Sequence, residues 1–122
     1  MIAGAHTILY AEDAEKTRAF LRDTLGLSGV DAGDGWLIFA LPPGELGVHP
    51  EWEAHPSGRH ELYFMCHDLE QTMSELEAKG VEFTAPVSDE GWGLLTRLRL
   101  PGAAEISLYQ PKHPSPLSEF SS

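Results

Sequence analysis

Cysteine is all but missing: Cys66 stands alone in 122 residues, so no internal disulfide is available and burial and hydrogen bonding must hold the fold. Basic residues are scarce as well. Only 8 Lys and Arg face 19 Asp and Glu, for a formal net charge of −11. That balance argues against nucleic acid or an anionic membrane as partner, because phosphate attracts Lys and Arg. It is read first as a solubility feature and second as a fit to a cationic ligand. No apolar run approaches the roughly 20 residues that span a bilayer, and no signal-peptide pattern is seen, so the expectation is a soluble, cytoplasmic protein. There is no nucleophile motif, no phosphate loop, no Cys-x-x-Cys and no dinucleotide fingerprint; Gly91-Trp92-Gly93 reads as a turn near a pocket.

What is present is a repeat. Asp13, Glu15, Thr17 and Leu21 fall on Asp68, Glu70, Thr72 and Leu76 at one offset. Gly35-Trp36 falls on Gly91-Trp92, and Pro43-Gly44 on Pro101-Gly102, with small drifts of the kind loop insertions produce. The chain therefore divides into module one (4–49), a Pro- and Gly-bearing linker (50–59), module two (60–111) and a tail (112–122) expected to fray. Halves this small are marginal alone, so they should share a core or pair with another chain.

Each half reads as strand, helix, then three strands. In the first, a strand over 5–10 precedes Asp13, a helix cap, with Thr17, Phe20, Leu21 and Thr24 at helical spacing and Gly26 as the stop. Strands over 36–41 and 45–49 follow. In the second, a strand over 61–66 precedes a helix capped by Asp68, with Gln71 placed as in a capping box and Gly80 ending it. Strands near 81–84, 94–100 and 105–110 complete it.

Strand alternation sorts the side chains onto two faces. Leu62, Phe64, Cys66, Ile106 and Leu108 suit the helix-covered side, leaving Glu61, Tyr63, Met65, Glu105, Ser107 and Tyr109 for the open one. By the same rule His6, Ile8, Tyr10 and His49 point with them. The repeat-related positions His6, His49, Glu61 and Ser107 thus share one concave surface, where Tyr10, Tyr63, Met65, Ser107 and Tyr109 could line a small-molecule pocket.

The stretches HTILYAEDAEKTRAFLRDTLGL, HELYFMCHDLEQTMSELEAKGVEF and LPGAAEISLYQP resemble the vicinal oxygen chelate superfamily, which includes glyoxalase I, extradiol dioxygenases and bleomycin-resistance proteins. The resemblance implies an α+β fold of two tandem βαβββ modules forming a cupped eight-stranded mixed sheet, with helices on the convex face and a homodimer as the usual assembly. It also implies a divalent metal (Fe, Mn, Ni or Zn) held from the first and last strand of each module. Carried over, those positions are His6, His49, Glu61 and Ser107. The first three are good donors. Ser107 departs from the glutamate common there, which leaves either an extra open coordination site or a lost metal. Glu105, on the same face, is the candidate general base.

Competing roles stand beside these. Glu61 could pair with Arg59, Arg97 or Arg99, and a one-residue shift of register would bring His60 into its place. Trp36 and Trp92 are read as core or dimer-interface residues, and His55, His67 and His113 as lying outside the chemistry. Two functions follow: a metal-dependent enzyme of the glyoxalase or dioxygenase type acting on an oxygen-chelating substrate, or a metal-free protein that binds and sequesters a small molecule.

Overall fold

The computed structural model describes residues 7, 9, 11–45, 60–114 and 117–120. The segments expected as strands over 5–10 and 45–49, and the linker 50–59, lie wholly or largely outside the described residues, and with them His6, Tyr10 and His49.

Two helices start where their caps dictate. Helix α1 spans Ala14–Asp23, and the Asp13 carboxylate accepts the Lys16 backbone N–H at 3.0 Å. Helix α2 spans Leu69–Ala78, with Asp68 accepting from the Gln71 N–H at 3.0 Å. The reciprocal arm of the expected capping box is not made, because the Gln71 side chain turns along the helix and donates to Glu75 at 3.1 Å. Gly80, at φ 88°, reverses the chain so that its N–H bonds Glu77 O and the Val81 N–H bonds Leu76 O. Those two bonds satisfy the last carbonyls of α2 as a Schellman turn does.

The described strands form two sheets. β1 (Gly29–Asp31) and β2 (Leu37–Phe39) pair antiparallel. β3 (Tyr63–Met65), β4 (Ser88–Asp89), β5 (Gly93–Arg99) and β6 (Glu105–Pro111) build a mixed sheet in the order β3-β6-β5-β4, in which only β3 and β6 run parallel. The strand expected near 81–84 is reduced to a single bridge, Phe83 to Leu98, with flanking bonds from Thr84 N–H to Arg97 O and from Arg99 N–H to Glu82 O. Pro86 lacks the N–H that would carry this pairing further.

One face of the mixed sheet holds the core. Leu98, Leu100, Ile106 and Leu108 lie under Leu69 and Val81, and Phe20, Leu62, Phe64, Cys66, Met73 and Leu76 close around them. Both helices therefore contribute to the same face. The first turn of α2 is pinned to β6 by the Leu69 N–H, which donates to Gln110 Oε1 at 2.9 Å. Burial raises the Cys66 thiol pKa, which keeps it protonated and inert.

The chain is thus a mixed α+β fold with two helices and one open sheet face. Among the described residues no helix is long and apolar enough to cross a membrane. Beyond Pro111, where fraying is expected, the N–H groups of Lys112 and His113 both donate to Trp92 O. Further on, Ser118–Phe120 forms a short 3₁₀ turn, and Phe120 stacks on His67 with ring centroids 4.4 Å apart.

Candidate functional site

Register places the open face in lateral rows. Tyr63 pairs with Ser107 and Ser107 with Arg97, so these side chains stand side by side across β3, β6 and β5. In the next row Met65 pairs with Tyr109 and Tyr109 with Leu95. The carboxylate of Glu61 accepts from the Tyr63 hydroxyl at 2.8 Å, which brings Glu61 to the Tyr63 side of the strand. Glu105 is exposed opposite Arg99, whose guanidinium pairs with Glu82 at 3.0 Å.

Three aromatic rings meet on this face. Tyr63 and Trp92 lie edge to face at 6.1 Å, Tyr63 and Tyr109 at 5.9 Å, and Trp92 and Tyr109 at 5.3 Å. These edge-on arrangements suit the ring quadrupoles. Gly93 makes the packing possible: a Cβ there would stand 2.8 Å from both Gln110 O and Tyr109 Cδ2. Trp92 is 41% exposed, so its indole faces solvent over the sheet.

The Tyr109 hydroxyl sits in a polar knot. It donates to Glu45 Oε1 at 3.2 Å and lies 2.9 Å from His113 Nε2. His113 Nδ1 lies 2.8 Å from Pro114 O, a pure acceptor, so Nδ1 carries the proton, and Nε2 of a neutral ring competes with Glu45 Oε1 for the single Tyr109 hydroxyl proton. When the imidazole is protonated, Nε2–H faces Glu45 at 3.3 Å. Burial, the Glu45 charge and the Glu45 hydrogen bond push the Tyr109 phenol up to about 12. Burial and the Glu61 contact also raise Tyr63, while the positive charge of Arg97 pulls it partly back.

The structure brings Glu61, Tyr63, Met65, Ser107 and Tyr109 to one surface, with Glu105 at its rim. It adds residues the sequence did not assign to it. Trp92, expected in the core or at a dimer interface, is too exposed for the core and forms the third ring of the triangle. Its repeat partner Trp36 is 64% exposed, with the Arg18 guanidinium 4.6 Å from its ring centroid. His113, expected to lie outside the chemistry, bonds Tyr109 through a backbone turn that strand alternation cannot signal. Arg97 could have been found, because Leu94 and Leu98 on β5 are apolar at the opposite parity.

The donor set speaks on metal fit. Glu61 offers a carboxylate, but Ser107 is a poor ligand, and the guanidinium beside it is a fixed positive charge where a divalent ion would need a negative one. Among the described residues no three His, Cys, Asp or Glu side chains converge as a metal cluster.

Comparison with known proteins gives the setting. Residues 4–103 match the profile of the family described as the Glyoxalase/Bleomycin resistance protein/Dioxygenase superfamily. A manganese-dependent 2,3-dihydroxybiphenyl 1,2-dioxygenase from Geobacillus genomosp. 3 is 30% identical over 126 residues, which cover 89% of this chain and 38% of that protein. The chain thus spans well under half the length of this relative. The crystal structure of TnmS3, an antibiotic binding protein from Streptomyces sp. CB03234, is 25% identical, with a TM-score of 0.61 over 92% of this chain and 100% of that one. A lactoylglutathione lyase from Agrobacterium tumefaciens, 18% identical with a TM-score of 0.63 over 88% of this chain and 92% of that one, shares the fold.

Proposed function

This chain belongs to the Glyoxalase/Bleomycin resistance protein/Dioxygenase superfamily, and within it we propose that it binds a planar aromatic small molecule against Tyr63, Trp92 and Tyr109. The observation that carries this reading is the ring triangle on the open sheet face, with two of its hydroxyls fixed by carboxylates. Rings held by neighbours and hydrogen bonds lose little further freedom on binding, so apolar contact with a ligand is not spent on ordering the site. The structural likeness to an antibiotic binding protein supports the same reading. Met65 and Ser107 extend the lining, and Tyr10, expected beside them, lies outside the described residues. An eight-stranded cup completed by module one, and a homodimer completed by a second copy, belong to the proposal; exposed Val30, Trp36 and Ile38 on the β1-β2 pair support the latter.

Calorimetric titration with naphthalene and quinoline derivatives tests it, using wild type, Trp92→Leu and Trp36→Leu. Binding should weaken at least tenfold in Trp92→Leu and hold in Trp36→Leu. Equal affinity in wild type and Trp92→Leu would reject the ring triangle as the site.

A second reading, favoured by the manganese-dependent relative, is a metal-dependent enzyme of the glyoxalase or dioxygenase type. In it His6, His49 and Glu61 hold the ion and Glu105 acts as the nearby base. Ser107 and Arg97 weigh against it. Elemental analysis after chelator stripping and reloading with Fe(II), Mn(II), Ni(II) or Zn(II) decides: about one metal per chain, lost in His6→Ala/Glu61→Ala, would establish it, and no stoichiometric metal under any loading would remove it.

A further inference from the structure

We infer that the ligand of this cup carries an anionic oxygen group, a carboxylate or phenolate, and that Arg97 with the hydroxyl of Ser107 receives it. The inference rests on the ring-binding reading above and concerns the row of residues beside the rings. In that row Tyr63, Ser107 and Arg97 are lateral neighbours, and the Thr84 N–H bond to Arg97 O, next to the Phe83–Leu98 bridge, adds Thr84 on the far side of Arg97. Paired residues in such rows stand roughly 5 Å apart at Cα.

Two observations single out this row. The first concerns charge. Lys16, Arg22, Arg99 and Lys112 each face a carboxylate, Lys79 donates to Thr24 O, and Arg18 covers the Trp36 ring. Arg97 is exposed on the sheet face, and among the described residues its guanidinium has no carboxylate within ion-pair distance and makes no hydrogen bond. In a chain with a net charge of −11, Arg97 alone among the described Lys and Arg residues has no carboxylate, carbonyl or ring partner among the described residues.

The second concerns the hydroxyls. Ser107 is only 7% exposed, lies on the open face between Tyr63 and Arg97, and makes no side-chain hydrogen bond among the described residues. The Thr84 hydroxyl oxygen is buried and likewise has no partner. An orphaned buried hydroxyl such as that of Thr84 is costly, whereas the Ser107 hydroxyl is free to donate to an incoming acceptor. In this row the Ser107 hydroxyl stands beside the Arg97 guanidinium, which has no acidic partner among the described residues, and the orphaned Thr84 hydroxyl lies on the other side. An anionic oxygen satisfies both needs: it accepts from the Arg97 fork and from Ser107, while an attached ring reaches Tyr63 and Trp92. The position at which the family's metal ligand has become a serine is then a position where a cation of the protein itself meets the ligand's oxygen.

A matched pair of probes tests this by calorimetry at low salt: 2-naphthoate and 2-naphthamide, equal in ring but different in charge. Wild type should bind the carboxylate about tenfold or more tightly than the amide, as a charge-assisted contact implies. Arg97→Met should erase that preference without weakening amide binding, Arg97→Lys should restore part of it, and Ser107→Ala should reduce it. Circular dichroism confirms that each variant is folded. Equal affinity for both probes in wild type, or a preference that survives in Arg97→Met, would overturn the anion site while leaving the ring site standing. Failure of both probes to bind would overturn both.

Discussion

Replacing Gly93 with alanine sets two opposed effects against each other. In a strand, the added methyl restricts the unfolded chain and by itself stabilises by about 0.4–1 kcal/mol. Here the Cβ would fall 2.8 Å from Gln110 O and 2.8 Å from Tyr109 Cδ2. One obstacle is backbone in the adjacent strand, and the other is a ring wedged between Trp92 and Tyr63 and tethered by its hydroxyl. Neither can move cheaply. Overpacking of this kind costs about 1–3 kcal/mol, so steric cost should win, giving a net loss of roughly 1–2 kcal/mol and a fall in Tm of several degrees for a domain of this size. The local signature matters more than the size of the loss. Because the Tyr109 and Trp92 centroids are 5.3 Å apart, Gly93→Ala should change the near-UV circular dichroism and Trp emission and weaken aromatic ligands, leaving far-UV signal intact. An unchanged or raised Tm with wild-type near-UV spectra would refute the close approach, and with it the packing proposed for the ring site.

Other perturbations follow from the same contacts. Leu98, 1% exposed at the centre of the core, should cost about 2–5 kcal/mol on change to alanine, read by urea unfolding. Asp68→Ala removes the cap of α2 and should cost about 1 kcal/mol, with Asp68→Asn recovering most of it. Thr17 is 4% exposed with an unpartnered hydroxyl, so Thr17→Val should be neutral or stabilising by up to about 1 kcal/mol, and a clear loss would mean that a partner had been overlooked. Tyr109 titrates near 12, above the ordinary phenol value of 10. The stability this group contributes is therefore fully present below pH 10 and lost as pH rises towards 12. Absorbance at the phenolate band should show late tyrosine ionisation, part of which disappears in Tyr109→Phe, and ionisation of every tyrosine at ordinary pH would contradict the knot.

Helix boundaries and face assignments were legible because they depend on local rules. Asp13, Asp68, Gly26 and Gly80 mark starts and stops by backbone chemistry alone, and the period of two correctly parted Phe64 and Leu108 from Tyr63 and Ser107. What escaped depended on approach across the sheet. The role of Trp92 follows from a missing Cβ at Gly93 and from the edges of two tyrosines, none of which is visible in hydrophobic pattern. His113 reaches Tyr109 only because the chain beyond β6 turns back on Trp92 O. The Gln71 side chain chose Glu75 over the cap, a contest between two local bonds that sequence spacing cannot decide. As for the chelating set, Glu61 and Ser107 lie on the face of the mixed sheet away from the core, whereas His6 and His49 lie outside the described residues.

The Tyr109 hydroxyl ties together two distant stretches of chain. Glu45 lies before the linker and His113 just past β6, so a single phenol clasps segments far apart in sequence. A ligand bound against that ring would therefore also stabilise the joint between these segments. Such an occupant would delay separation of the segments in proportion to its own grip, by about 2.7 kcal/mol at a hundredfold excess over Kd. Thermal melting with and without a ligand would then measure the joint as well as the pocket, and a chain cut after Gln110 would lose not an idle tail but one jaw of the clasp.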